Sequence, residues 1–249
     1  MMLQNEMLSA RGIKISDVFI NDISYSEMLS LFEHAVDCGE KITGAYINFN
    51  SINFSLADGK FKSVLEKFNL RHPDGIGVYI ASKILYGSRG LRNKITGSDF
   101  YPYLTKKILE RNWKIYILGE TEDTLKRIKV MSAELNIVGM SSGYGFNSKN
   151  VLNEIKLAAP EVLLIGLGTP LQEEWIIKNI GDIQANIVLA VGEGLKVLAG
   201  NKVRGPLLVR QIGLEWAVRL LSNPSKFAAR YILGIPQFLF RVIKEKYSS

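Results

Sequence analysis

Residues 162–175 read VLLIGLGTPLQEEW. Four aliphatic residues run into Gly166 and Gly168, and Pro170 then falls in the first turn of a helix, where its missing N–H is tolerated. That is a buried strand, a tight glycine turn and a helix start. Shorter runs of the same kind occur at residues 45–49, 114–118, 137–140 and 187–191, with the quoted strand covering 162–167. Between them lie helical stretches near residues 79–86, 100–111, 121–135, 148–158 and 171–180, several opened by Ser or Thr caps. The alternation predicts an α/β fold, a doubly wound, mostly parallel Rossmann-like sheet over residues 1–200. In such sheets ligands bind outside the carboxyl ends of the strands, so the residues just past each strand are the candidates for chemistry.

The 249 residues are 47% hydrophobic and 22% charged, enough to bury a large core. Disorder and a collagen-like chain are excluded. Cys38 is the single cysteine and His34 and His72 the only histidines, so neither an internal disulfide nor a zinc-spaced Cys/His cluster can be drawn. The cysteine usage and a first fifteen residues without a signal-peptide layout point to a cytoplasmic protein. The net charge of +7 lies entirely in residues 202–249, which hold nine basic residues against Glu215 and Glu245. A neutral body with a basic tail points to docking on a polyanion, either nucleic acid or an anionic membrane.

That tail, residues 201–249, reads as a basic amphipathic helical appendage. Pro206 is expected to open a helix to about residue 221, and a second is expected over 225–246 with a break at 234–236. Its most apolar part, YILGIPQFLF at 231–240, is bracketed by Arg230 and Arg241 and is about half the length a spanning helix needs. Lying in the membrane interface suits it better. The aromatics cluster with Leu and Ile as an apolar face, which favours membrane over a nucleic-acid-binding module.

Four groups of polar residues sit at the predicted strand ends. Asn48, Asn50, Ser51 and Asn53 follow the first strand and suit either sugar or phosphate binding or helix capping. His72-Pro73-Asp74-Gly75 places a carboxylate at a helix start, where it serves as a general base or as part of a plain Pro-Asp-Gly turn. Arg92 and Lys94 precede Gly97-Ser98-Asp99, a diphosphate-binding arrangement or a solvated loop with Ser98 as N-cap. Gly166 and Gly168 permit close backbone approach, and Gln172, Glu173 and Glu174 stand at the following helix start as candidate nucleotide or sugar contacts. Gly119-Glu120 lacks the GxGxxG fingerprint and no Walker loop occurs, so neither hydride transfer nor ATP hydrolysis is indicated.

Taken together, these segments resemble the WecG/TagA/CpsF family of bacterial glycosyltransferases, glycosyltransferase family 26. The resemblance runs from about residue 45 to 230 and rests on the strand-end Asn, Pro73-Asp74-Gly75, Gly97-Ser98-Asp99, residues 166–175, and Leu214-Glu215-Trp216 through Arg219 to Asn223-Pro224. It implies inverting transfer of a sugar from a UDP-sugar (N-acetylmannosamine-type, glucose-type or uronic acid) to a polyprenyl-diphosphate-linked sugar in cell-surface polysaccharide synthesis. Neither metal nor cofactor is implied. Asp74 matches the proposed base, and Arg219 the appendage arginine that closes over the site. Arg92 and Gln172 match substrate contacts, and the strand-end Asn is Asn50 or, with a two-residue shift, Asn48. Glu173, Gly166, Gly168 and Arg204 join the expected substrate-binding set.

Two departures stand out. Where the family carries Thr two residues before its Asn, the Asn50 register puts Asn48. Where it reads Gly-x-x-Phe-Asp, this chain has Gly192-Glu193-Gly194-Leu195-Lys196, a charge reversal at the last position. The implied setting is the inner face of the cell membrane, peripherally attached through anionic lipid, with room for a homo-oligomer. A non-catalytic subunit on the same scaffold is the remaining alternative, and the presence of Asp74 argues against it.

Overall fold

The computed structural model describes residues 11–201, 205–211 and 213–248. Arg204 lies outside the described residues. The chain opens with an antiparallel hairpin, β1 (Gly12–Ile15) and β2 (Val18–Asn21). A six-stranded sheet follows, built of β3 (Ile42–Ile47), β4 (Leu70–Pro73), β5 (Ile115–Gly119), β6 (Ile137–Ser141), β7 (Val162–Gly166) and β8 (Ile187–Ala190). Its order is β4-β3-β8-β7-β5-β6, and every pairing is parallel. This is the doubly wound α/β sheet expected from the alternation.

Strands buried on both faces need apolar side chains at every position, which is why β5, β7 and β8 read as unbroken runs. Alternate residues feed two cores. Ile115, Ile117, Val162, Leu164, Ile187 and Leu189 face one helical layer. Tyr116, Leu118, Leu163, Ile165, Val188 and Ala190 face the other. The hairpin was not foreseen, and the alternation of apolar runs did not mark β4 as a strand. Four residues carrying Arg71, His72 and Pro73 have no apolar signature, and Pro73 is accommodated because it ends a strand on the sheet's edge.

The C-terminal helices differ from expectation in two places. Instead of one helix after Pro206 there are two, Leu207–Gln211 and Glu215–Ser222. Gly213 between them has φ +81° and sits so close to the body that a Cβ there would come within 2.7 Å of Ile76. The expected break at 234–236 is absent. A π-helical stretch, Ala229–Leu233, leads straight into the Gly234–Ser248 helix, so the helical backbone runs on through Pro236, whose missing N–H falls beside the π-helical turn.

The last helix is also no free appendage. Phe238, expected on a lipid face, is 1% exposed and Val242 fully buried, both in the second core. Polar ties reinforce the seat: Asn53 Nδ2 donates to the Gly234 carbonyl (2.8 Å), Arg241 Nη1 to Asn53 Oδ1 (2.9 Å) and Ser16 N to Glu245 Oε2 (2.9 Å). The change of charge after residue 200 marks a compositional boundary that the core crosses. No helix among the described residues is long and apolar enough to cross a membrane.

Candidate active site

The carboxyl ends of β4, β3 and β8 stand side by side and aim three turns at one place. Asp74 follows β4, and its N–H donates to the Ile47 carbonyl (2.8 Å), which extends the β3–β4 ladder by one residue and fixes where the carboxylate emerges. Asp74 Oδ1 accepts the Gly97 N–H (2.9 Å), and Asn48 Nδ2 lies 3.4 Å from Oδ2. A carboxylate held by a helix N-terminus and an amide donor is fixed in direction, as a general base must be.

Asn48 does both things its position allowed. Its Oδ1 accepts the N–H groups of Asn50 (3.0 Å) and Ser51 (3.1 Å), capping the Phe49–Ala57 helix, and its Nδ2 faces Asp74. Asn50 does not line the cavities described below, so the two-residue shift is the register that brings an Asn to the site. Tyr46 then stands two residues before it.

Two adjoining cavities meet at Asp74. The larger, about 250 Å³, runs between the body and the C-terminal helices, with Asp74, Lys94, Arg210, Arg219 and Arg230 on its polar side. Ile76, Ile80, Trp216, Ile235 and Leu239 form its apolar side. The smaller, about 60 Å³, is a polar recess bounded by Asn48, Asp74, Ser98, Glu193, Arg219 and Arg230 among others. Thr96 is the N-cap of the Gly97–Arg111 helix, accepting the Asp99 N–H. Ser98, expected as that cap, is one residue inside the helix and so presents its hydroxyl to the site.

Arg219 reaches in from the Glu215–Ser222 helix. Its Nη2 donates to Glu215 Oε1 (2.6 Å) and approaches Ser98 Oγ (3.5 Å), and Nη1 lies 3.9 Å from Glu193 Oε2. Burial works against its charge, but Glu215 beside it more than compensates and raises its pKa. Arg230 was read from sequence only as the border of an apolar run. It lies on the π-helical stretch with its guanidinium 5.7 Å from the Phe49 ring centre and 5.6 Å from that of Tyr231, and its buried Nε has no hydrogen-bond partner. A cation held by ring faces keeps its N–H donors for an incoming anion. The cue in sequence was its place eleven residues after Arg219, on the next helical segment.

Other expected contacts are placed differently. Arg92 is turned away: its Nε binds Asp22 Oδ2 (2.8 Å) and its Nη2 Glu27 Oε2 (3.0 Å), while Lys94, two residues on, lines the larger cavity. Gln172 and Glu173 are buried behind the site rather than along it. Gln172 Oε1 accepts the Gly192 N–H (3.0 Å), and its Nε2 donates to Tyr46 Oη (3.2 Å) and Glu173 Oε1 (2.8 Å). Burial raises the pKa of Glu173, whose Oε2 is unpartnered, and pushes that of Tyr46 up to about 12. The network ties the end of β3, the helix start after β7 and the turn after β8 together.

The glycines of residues 162–175 serve the same end. A Cβ on Gly166 would come 2.6 Å from Leu195 and 2.8 Å from the Gly192 carbonyl, and Gly168 has φ +82°. Lys196, the reversed charge, is matched by Glu193 (3.5 Å) and Glu120 (3.9 Å).

The family model described as "Glycosyl transferase WecG/TagA/CpsF family" matches residues 13–249. The N-acetylglucosaminyldiphosphoundecaprenol N-acetyl-beta-D-mannosaminyltransferase of Bacillus subtilis strain 168 is 28% identical over 235 residues, covering 92% of this chain and 89% of its own. The protein of the same name from Bacillus spizizenii strain W23 is 28% identical over 199 residues (78% and 76%). That of Staphylococcus aureus strain MW2 is 25% identical over 199 residues (78% and 77%). Since the match spans nearly the whole chain, from the hairpin through the C-terminal helices that close the site, the chain belongs to the WecG/TagA/CpsF family and is a glycosyltransferase.

Proposed function

We propose that the protein transfers N-acetylmannosamine from its UDP derivative to a polyprenyl-diphosphate-linked N-acetylglucosamine, with inversion and without a metal, in the synthesis of a bacterial cell-surface polymer. The names of the relatives supply the sugar and the acceptor. The observation that carries the chemistry is Asp74, fixed at the junction of the two cavities and faced by Arg219 and Arg230.

The acceptor hydroxyl oxygen attacks C1 of the donor sugar and gives its proton to Asp74. The bond from C1 to the diphosphate oxygen breaks, and its electron pair leaves with UDP. The charge that gathers on the leaving diphosphate meets Arg219 and Arg230, preorganised donors in a partly closed site. The cations that line the larger cavity are the ammonium group of Lys94 and the guanidinium groups of Arg210, Arg219 and Arg230.

The apolar side of the larger cavity suits the lipid end of the acceptor. Ile80 and Leu239 on its rim join Ile84, Ile232, Leu233, Phe240 and Ile243 as exposed apolar residues on the same pair of packed helices, amid a basic tail. Peripheral attachment to the inner face of an anionic membrane fits that surface. Tyr231 and Phe238 are buried and so cannot stack on bases.

Incubation with UDP-N-acetylmannosamine and a synthetic polyprenyl-diphosphate-N-acetylglucosamine, read by mass spectrometry, should yield the lipid-linked disaccharide in the presence of EDTA. Asp74→Asn should cut turnover by about 100-fold or more, the usual scale for losing a general base, with UDP-sugar affinity little changed. Near-normal turnover by the folded variant would sink the assignment of the base.

A further inference from the structure

The turn after β8, Gly192–Gly194, has Glu193 as its one side chain, and its setting is unusually constrained. A Cβ on Gly192 would come 2.7 Å from Tyr46 Oη, and one on Gly194 would come 2.2 Å from the ring and hydroxyl of Tyr101. The same two tyrosines bound the polar recess. The backbone is held as well: Tyr101 Oη donates to the Val191 carbonyl (3.0 Å), and the Gly192 N–H donates to Gln172 Oε1 (3.0 Å). Glu193 therefore projects from a fixed turn into the recess that also holds Asp74. Lys196 and Arg219 approach the two oxygens of its carboxylate from either side, at 3.5 and 3.9 Å.

We infer that Glu193 sets donor specificity: its carboxylate admits a neutral hexose or N-acetylhexosamine and rejects a donor that carries its own carboxylate, the uronic acid class. This rests on the reading that the transferred sugar sits beside Asp74. Glu193 lines the same recess of about 60 Å³ as Asp74, so a sugar placed for attack beside Asp74 has Glu193 among its neighbours. A hydroxyl or amide N–H there donates to the carboxylate, a charge-assisted bond. A sugar carboxylate meets a like charge that Lys196 and Arg219 hold in place, and like-charge juxtaposition is the usual means of excluding a competing ligand. The close approach of Tyr46 and Tyr101 to Gly192 and Gly194 holds the backbone that carries Glu193, and the two ion pairs hold its carboxylate.

The decisive measurement compares kcat/KM for UDP-N-acetylmannosamine with that for its 6-carboxylate counterpart, using one polyprenyl-diphosphate acceptor. Wild type should prefer the neutral donor by on the order of 100-fold, the scale of a like-charge clash in a partly closed site. Glu193→Gln keeps size and hydrogen bonding and should narrow that ratio at least tenfold, chiefly by improving use of the uronate. Glu193→Asp keeps the charge and should retain the preference. An equal loss on both donors in Glu193→Gln would mean that the side chain only braces Arg219 and would overturn the inference. So would a wild type that uses both donors alike. If wild type transferred from neither donor, the N-acetylmannosamine reading itself would fall, a result distinct from an unchanged ratio in an active enzyme.

Discussion

The two halves of the site are built by different means. The body supplies Asn48, Asp74 and Ser98 from strand ends and helix starts, where backbone hydrogen bonds fix each side chain to within the tolerance of the sheet. The C-terminal helices supply Arg210, Arg219 and Arg230 from above, and their position depends on how those helices are seated rather than on any ladder. The half that carries the proposed base is thus fixed by the sheet, and the half that carries the proposed diphosphate-binding arginines is a roof. A roof held by packing is the part that substrate entry would have to displace, since a strand end is fixed by its ladder.

The seat itself gives the largest expected effect. Phe238 is the largest buried side chain of the last helix, packed in the second core with its ring centre 6.3 Å from that of Phe49. Phe238→Ala should cost about 3–5 kcal/mol of stability, the range for truncating a buried aromatic. If the roof docks as proposed, activity should fall before the body unfolds, so denaturant titrations followed by turnover and by circular dichroism should separate. Coincident transitions would mean that roof and body form one cooperative unit.

The two arginines of the roof give the next effect and divide it. Arg219→Ala removes a cation and leaves Glu215 without its 2.6 Å partner, so it should lower both turnover and thermal stability. Arg230 rests on ring faces, and Arg230→Ala should cost on the order of 10–100-fold in kcat with a small change in Tm, since loss of one preorganised donor weakens the transition state specifically. A kcat unchanged in Arg230→Ala would remove it from the diphosphate clamp.

The body was far more legible in the sequence than the roof, for a physical reason. Strands such as β7 and β8 are buried on both faces and announce themselves as unbroken aliphatic runs, whereas β4, a four-residue edge strand with Arg71, His72 and Pro73, has no such run to show. Asp74 was found because Pro-Asp-Gly needs no register to be recognised. Asn48 and Asn50 differ by two residues on one strand-to-helix turn, and only the positions of the Asp74 carboxylate and the helix cap distinguish them. In the same way Arg92 and Lys94 share a loop, and the nearby acids Asp22 and Glu27, distant in sequence, decide which of the two turns from the site. In the roof, Pro236 looked like a break because the sequence does not show the π-helical turn that precedes it and lets the helix run on.

The smallest effect concerns what the roof turns outward. Phe238 and Val242 bind it to the body, so removing the whole helix would expose core and test stability as much as docking. The outer face is separable: Ile232 (60% exposed), Leu233 (69%) and Phe240 (70%) project from the same segment as Arg230. Replacing Leu233 and Phe240 together by Ser removes apolar surface that the folded protein leaves in water, and the fold should be unaffected. Burying one such side chain in a membrane is worth roughly 1–2 kcal/mol by area, and each nearby Lys or Arg adds about 1 kcal/mol on an anionic surface. Cosedimentation with vesicles containing anionic lipid should therefore weaken on the order of tenfold or more in the double variant and weaken again with salt in both proteins. Turnover on a short, water-soluble acceptor should stay at the wild-type level, because the variant leaves Asp74, Arg219 and Arg230 where they are. Equal vesicle binding by variant and wild type would mean that this face is covered by something other than lipid and that the roof meets the acceptor without a membrane behind it.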